Sequence, residues 1–317
     1  MTHAVYHASL HWHPDNIASI EERFTLTTVP DIHTKAAGYG VEVLFLPIGP
    51  IYYKEFFAQY PDTKFVVSNT TSERHLVNMP DNIKAITLKG DPFLQDITST
   101  PEHALGLIMA LHRRIPAASF EVATKGTWDR YNWPAPRMLS KMHLGILGAG
   151  RVGRMLSHLA MPIFKRISMF EPFNSTTGKI GYVEKRLHSW LSDIDVLSIH
   201  LALGKGTGNF VNSALLDQLP QGALVVNTAQ GAILDNEYLL HKLESGELRG
   251  AALDVFPEDP AFGLSSIPHE DLFVLARSYA MTHDNLILTP HIAGSTEDAW
   301  RMTQARVIEK LLGEYEA

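Results

Sequence analysis

From about Lys141 onward, short apolar runs alternate with stretches of helical period. The runs cover residues 143–147, 167–170, 196–201, 223–228, 250–255 and 286–289, each separated by a spacer long enough for a helix. Apolar runs of that length suit parallel strands buried on both faces, with crossover helices between them. The pattern predicts an α/β domain built on a doubly wound parallel sheet. The first hundred residues alternate more loosely, with runs at 41–46, 65–67 and 83–88, and predict a second, smaller α/β domain. A helix start at Thr100-Pro101-Glu102, with a capping hydroxyl, proline in the first turn and an acid after it, sets the boundary between them. That helix carries Ala104, Leu107, Ile108 and Leu111 until Pro116 bends or ends it. A last helix is expected from Ser295, with Asp298 as the capping acid and Met302, Ala305, Ile308 and Leu312 on one stripe.

Composition narrows the chemistry. The 317 residues are 45% hydrophobic and 19% charged, ordinary for a chain that folds throughout. A net charge of −7 without a basic block gives nucleic acid or an anionic membrane nothing to hold. No cysteine is present, which excludes disulfides, thiolate metal sites and thiol nucleophiles. No apolar run approaches the length of a membrane span, and the expected location is the cytoplasm. His3, His7, His11 and His13 lie close together on a terminus read as exposed, and no metal site is assigned to them.

The candidate chemistry begins at Gly148-Ala149-Gly150-Arg151-Val152-Gly153. A glycine triplet alone is weak evidence, but this one follows a strand, opens a helix and is followed by a second strand with an acid, Glu171, at its end. In such a turn Gly148 permits the tight bend, Gly150 lets the backbone approach a pyrophosphate, and Gly153 lets the helix pack closely. Arg151 and Val152 begin the helix that offers its amides. Glu171 is expected to hold ribose hydroxyls and to repel a 2′-phosphate, which favours NAD over NADP. Ligands of open α/β sheets lie beyond the carboxyl ends of the strands, so Gln230, Asp259 and His291, each just past such an end, form a second candidate cluster. An imidazole beside a carboxylate is a suitable proton donor and acceptor for a carbinol.

The runs LGILGAGRVG, VVNTAQGAILD, GAALDVFPEDP and TPHIAGST, spread over residues 98–294, resemble the D-isomer-specific 2-hydroxyacid dehydrogenase family. The resemblance implies a Rossmann nucleotide domain (100–294) inserted into a smaller, flavodoxin-like substrate domain made of residues 1–99 and completed by 295–317. It implies a small 2-hydroxy or 2-oxo acid as substrate and a homodimer paired through the nucleotide domain, which gives the aromatics Trp128, Tyr131 and Trp133 a role. Carried over by position, His291 matches the acid/base histidine and Asp254 the aspartate near the nicotinamide carboxamide. Thr228 falls in the cofactor-binding set, and Asn69, Thr70 and Thr71 fall where amides meet the substrate carboxylate. Two positions depart from the pattern. Asp259 stands where glutamate is usual, and Gln230 stands where an arginine grips the substrate through paired charge-assisted bonds. Arg74 and His75, beside the Asn69 loop, are the candidate replacement cations.

Two functions follow. One is an NAD-dependent oxidoreductase of atypical substrate, with Gln230 in place of the arginine. The other is a catalytically silent NAD-binding sensor or structural module. Between Asp259 and His291, Leu272, Leu275, Ala276 and Tyr279 recur at helical spacing in an insertion whose role stays open.

Overall fold

The computed structural model describes residues 1–30, 40–47, 51–172, 180–257 and 271–315. The described residues fall into two compact units, one made of residues 1–97 with the C-terminal stretch from Ser295, the other of residues 98–257 and 271–294.

In the first unit the strands are β1 (Thr2–His7), β2 (Phe24–Val29), β3 (Val41–Phe45), β4 (Phe65–Val67) and β5 (Lys84–Ile86), with helices α1 (Pro14–Glu21) and α2 (Lys54–Phe57). All pairings are parallel and the order is β2-β1-β3-β4-β5, the flavodoxin-type winding. The apolar pattern passed over β1 and β2. β1 is interrupted by histidines and β2 is an edge strand rich in threonine with a mostly open burial pattern. His7, expected on an exposed terminus, is fully buried in β1. Trp12 then stacks edge-on against Phe45 at 5.3 Å.

Part of the core on one face of this sheet comes from the far end of the chain. The last helix, Glu297–Tyr315, belongs to this unit and sends Ala299, Val307, Ile308 and Leu311 in among Ile20, Val43 and Val67. Its cap is Thr296, whose hydroxyl accepts from the Ala299 amide at 3.2 Å, one residue later than the expected Ser295. Ala305, expected on the apolar stripe, is exposed, and Gln304 is buried in its stead, accepting from the His13 amide at 2.8 Å and the Asn16 side chain at 3.0 Å. Arg306 pairs with the buried Asp91 at 3.0 Å.

The second unit opens with α3 (Ser99–His112) and α4 (Ile115–Lys125). Pro116 does not end α3; the chain turns through a left-handed Arg114 (φ 53°), and the proline lies in the first turn of α4, where its missing N–H costs nothing. The rest alternates strand and helix: β6 (His143–Leu147), α5 (Arg151–Ala160), β7 (Arg166–Phe170), α6 (Ile180–Leu191), β8 (Val196–Ile199), α7 (Ser213–Leu216), β9 (Ala223–Asn227), α8 (Asn236–Glu244), β10 (Leu248–Leu253), α9 (Asp271–Thr282) and β11 (Leu286–Leu288). The last helix of the chain, in the first unit, is therefore α10. The parallel order is β11-β10-β9-β8-β6-β7.

Strand alternation sends Leu144, Ile146, Val196, Leu224 and Val226 to a layer with α3 and α5, and Leu197, Ile199, Val225, Ala251 and Leu253 to a layer with α8 and α9. Helices on both faces make this a doubly wound, Rossmann-type unit. In α9, Ala276 and Tyr279 are buried as the spacing predicts, Leu275 of the same stripe is 48% exposed, and Phe273 meets Phe256 edge-on at 5.3 Å, so α9 packs onto the sheet layer. By contrast α4 buries none of its residues. Among the described residues no helix is long and apolar enough to cross a membrane.

Candidate active site

β6 lies between β7 and β8, so the winding reverses there and a crevice forms beyond its carboxyl end. The glycine turn fills that place. Gly148 has φ 106°, a region closed to other residues, and a Cβ on it would lie 2.6 Å from the His200 carbonyl oxygen. A Cβ on Gly153 would lie 2.1 Å from the Gly148 carbonyl oxygen, so α5 can approach the strand only without one. Gly150 differs: nothing lies within 4 Å of its missing Cβ, and as N-cap of α5 it has no capping side chain. The turn thus presents an open backbone and the uncapped start of a ten-residue helix, which suits a pyrophosphate. Glu171, one residue past β7, accepts from the Ala149 amide at 3.0 Å, which anchors its carboxylate on the same turn. The Thr228 hydroxyl, just past β9, is buried without a hydrogen-bond partner among the described residues. The open backbone, the uncapped helix start and the unpartnered Thr228 hydroxyl fit a dinucleotide.

Asp254, one residue past β10, is only 1% exposed and organises the turn that follows β11. Three consecutive amides of that turn bond to it. His291 donates to its carbonyl at 2.9 Å, Ile292 to Oδ1 at 2.9 Å and Ala293 to Oδ2 at 2.9 Å. The Thr289 hydroxyl adds a 2.6 Å bond to Oδ1, and the His103 ring of α3 comes within 3.4 Å of the same oxygen. Burial raises the Asp254 pKa, but His103, Thr289 and the two amides outweigh it and hold the carboxyl below its ordinary value. The price of this arrangement is a left-handed His291, φ 54°, which the three bonded amides impose. The Asp254 carboxylate and carbonyl thus set the backbone under His291.

Gln230 begins the turn after β9 and is half-buried. The fully buried Asn227 holds that turn, donating to the Gln230 carbonyl at 3.1 Å and accepting from the Ala229 amide at 3.0 Å. Gly231 lies against the end of β10 so closely that a Cβ would fall 1.8 Å from the Phe256 carbonyl carbon. Gln230 is thereby fixed beside the segment that leads to Asp259, which itself lies outside the described residues. Among those residues no group of histidine, aspartate or glutamate is arranged to hold a metal ion.

The remaining candidates lie in the first unit, in the loop after β4. The Asn69 side chain donates to the Thr303 hydroxyl at 3.5 Å, the Thr70 hydroxyl accepts from the Ser72 amide at 3.1 Å, and Thr71 and Arg74 are exposed. His75 is corrected here. It is buried, neither ring nitrogen has a hydrogen-bond partner among the described residues, and burial pulls its pKa down to about 4, with Glu73 opposing. A neutral ring cannot serve as the carboxylate's cation near pH 7.

The model of the D-isomer specific 2-hydroxyacid dehydrogenase NAD binding domain matches residues 105–293. The chain belongs to the D-isomer specific 2-hydroxyacid dehydrogenase family. Its similarity to the D-3-phosphoglycerate dehydrogenase of Haemophilus influenzae is 35% identity over 216 residues, 68% of this chain and 50% of that one. With the hydroxypyruvate reductase of Thermotoga maritima it shares 29% over 217 residues, 68% of this chain and 66% of that protein. The chain's match spans half or less of the length of three such D-3-phosphoglycerate dehydrogenases. In fold it is similar to a putative D-isomer specific 2-hydroxyacid dehydrogenase from Polaromonas, with TM-score 0.80, 22% identity and coverage of 100% of this chain and 97% of that one. A D-lactate dehydrogenase from Aquifex aeolicus, solved with NAD and lactic acid, gives TM-score 0.77 at 18% identity, covering 99% and 95%.

As a member of this family the chain carries an NAD-binding domain, and its cofactor is NAD. Sequence reasoning passed over Asn227, Thr289 and His200. Asn227 and Thr289 end apolar runs and read as punctuation. His200 follows β8, and its amide donates to the Leu147 carbonyl at 2.7 Å; burial draws its pKa to about 4. A titratable group directly after a strand end, at the edge where the glycine turn lies, was the available signal.

Proposed function

We propose that this protein is an NAD-dependent oxidoreductase that interconverts a small 2-oxo acid and its 2-hydroxy acid. The observation that carries the reading is the turn at residues 289–293, bonded through three amides to Asp254 so that His291 is presented just past β11 in the unit that binds NAD. The bound nicotinamide, when reduced, supplies the hydride to C2 of the 2-oxo acid. His291 delivers the proton to the carbonyl oxygen and, in the reverse direction, removes it from the carbinol. Asp259 is assigned to steady the imidazole and its cationic form. Gln230 donates one neutral amide bond to the substrate in place of the arginine fork, and Arg74 is assigned the missing positive charge, with Asn69, Thr70 and Thr71 in the same carboxylate-binding set. Glu171 and Thr228 are assigned to the cofactor.

The test is an NADH-oxidation screen over 2-oxo acids, sugar acids and their phosphates, with His291→Ala as control. Turnover by the wild type that disappears in the variant, with NADH affinity kept, is the expected result. The second reading, a silent NAD-binding module, is favoured by Gln230 alone; it prevails if the wild type binds NADH tightly and oxidises it with none of the acids.

The same reading makes the chain a cytoplasmic homodimer. Its support is the face of α4 and the segment after it, where Phe120, Trp128 and Tyr131 are 70%, 89% and 87% exposed. Large aromatics so open to water suit a surface that a second copy covers. The lack of cysteine suits a reducing compartment.

A further inference from the structure

His103 lies on α3, outside both the glycine turn and the polar cluster past the strand ends. Yet its Nε2 is 3.4 Å from Asp254 Oδ1 and 3.3 Å from the Thr289 hydroxyl. Asp254 is buried, and its two oxygens already receive the Thr289 hydroxyl and the amides of Ile292 and Ala293. Among the described residues His103 is the basic side chain within ion-pair distance of it.

We propose that His103 is a positioning residue for the reaction: as a donor to Asp254 fixed on a separate helix, it keeps the carboxylate a pure acceptor and so holds the His291 turn in its left-handed shape. The proposal rests on the dehydrogenase reading above.

The chemistry follows from the acceptor count. An ionised carboxylate accepts at both oxygens, whereas a protonated one turns an oxygen into a donor that faces an amide or a hydroxyl. Burial favours the protonated form, and the bonds around Asp254 oppose it. His103 is the one opposing group that comes from a helix rather than from the turn being held, so it is fixed independently of His291. Its side chain is 23% exposed, which leaves it open to exchange with solvent while Asp254 is sealed. If His103 is removed, the carboxylate loses the support that does not depend on the turn, and the turn loses its template.

The experiment compares His103→Leu with His103→Gln, the latter keeping an N–H donor of similar reach. Amide hydrogen exchange is measured by NMR at Ile292 and Ala293 and, as a reference, at Val225 and Ala251 within β9 and β10. In His103→Leu, exchange at Ile292 and Ala293 should quicken by about tenfold or more with the reference amides unchanged. Turnover should fall by about tenfold while KM and NADH affinity stay within about twofold, and His103→Gln should recover most of both losses. Unchanged exchange at Ile292 and Ala293 overturns the proposal, as does an equal rise at the reference amides or a quickened turn with undiminished turnover. A wild type without turnover on any acid would instead defeat the dehydrogenase reading; exchange at Ile292 and Ala293 would still decide whether His103 holds the turn.

Discussion

Single side chains decide what this site recognises. On the proposed reading the amide of Gln230 takes the place of a guanidinium, and a bond to a charged group is worth roughly 1.5–3 kcal/mol. Restoring the fork with Gln230→Arg should therefore raise kcat/KM on simple 2-oxo acids such as pyruvate or glyoxylate by about tenfold or more, measured by NADH oxidation. If Arg74 already serves the native substrate, activity on that substrate should fall in the same variant. No gain on any acid would remove Gln230 from the substrate site. Glu171 has a parallel test. Its carboxylate is anchored at the glycine turn by the Ala149 amide, so Glu171→Ser should narrow the preference for NADH over NADPH by about tenfold in calorimetric titration, chiefly by weakening NADH. An unchanged ratio would take Glu171 off the ribose.

At the scale of elements, what could be read from the chain depended on how each strand sits in its sheet. β6, β8 and β9 are buried along their whole length and show as mostly apolar runs. β1 carries the same burial behind histidines, and β2 hides it among threonines at an edge, so a hydrophobicity pattern alone passes over both. The glycine turn was legible because each glycine answers a local steric demand. Asp254 was legible only as a family position; its hold on residues 289–293 joins groups more than thirty positions apart, which no local pattern encodes. His75 shows the opposite failure, a candidate by sequence nearness that burial makes neutral. That burial has a pH signature. Its folded pKa of about 4 lies below the ordinary 6.5, so the unfolded chain takes up a proton the folded chain refuses as the pH drops below 6.5. Stability should therefore be fully present above 6.5 and decline towards pH 4, by about 2 kcal/mol at pH 5 from this residue alone. Urea titrations at pH 7 and pH 5 should show that loss shrink in His75→Phe.

For the whole molecule, two predictions concern assembly and cofactor. No residue of α4 is fully buried, so if the proposed dimer forms there, Phe120→Asp together with Trp128→Asp should turn it into a monomer in light scattering without lowering the NADH affinity. A dimer that survives both changes would move the interface elsewhere. NADH at a hundredfold over its Kd contributes about 2.7 kcal/mol to whatever unit binds it, and the melting transition that contains the glycine turn should rise by roughly 5–10 °C in calorimetry. An equal rise in transitions assigned to both units would mean that they unfold together.

The order of synthesis gives the C-terminal α10 a meaning beyond packing. Its Ala299, Val307, Ile308 and Leu311 complete the core of a unit whose other residues emerge first. At the ribosome's pace of about 5–20 residues per second, the leading strands wait roughly 10–40 s for their last helix, while everything from α3 to β11 is delivered in one piece. A nascent chain stalled after Gly294 should therefore already protect the nucleotide-binding unit from protease, with the leading segment still cut. Of the two units, the one begun first is the one finished last, and in the interval its apolar sheet face is a natural client for a chaperone.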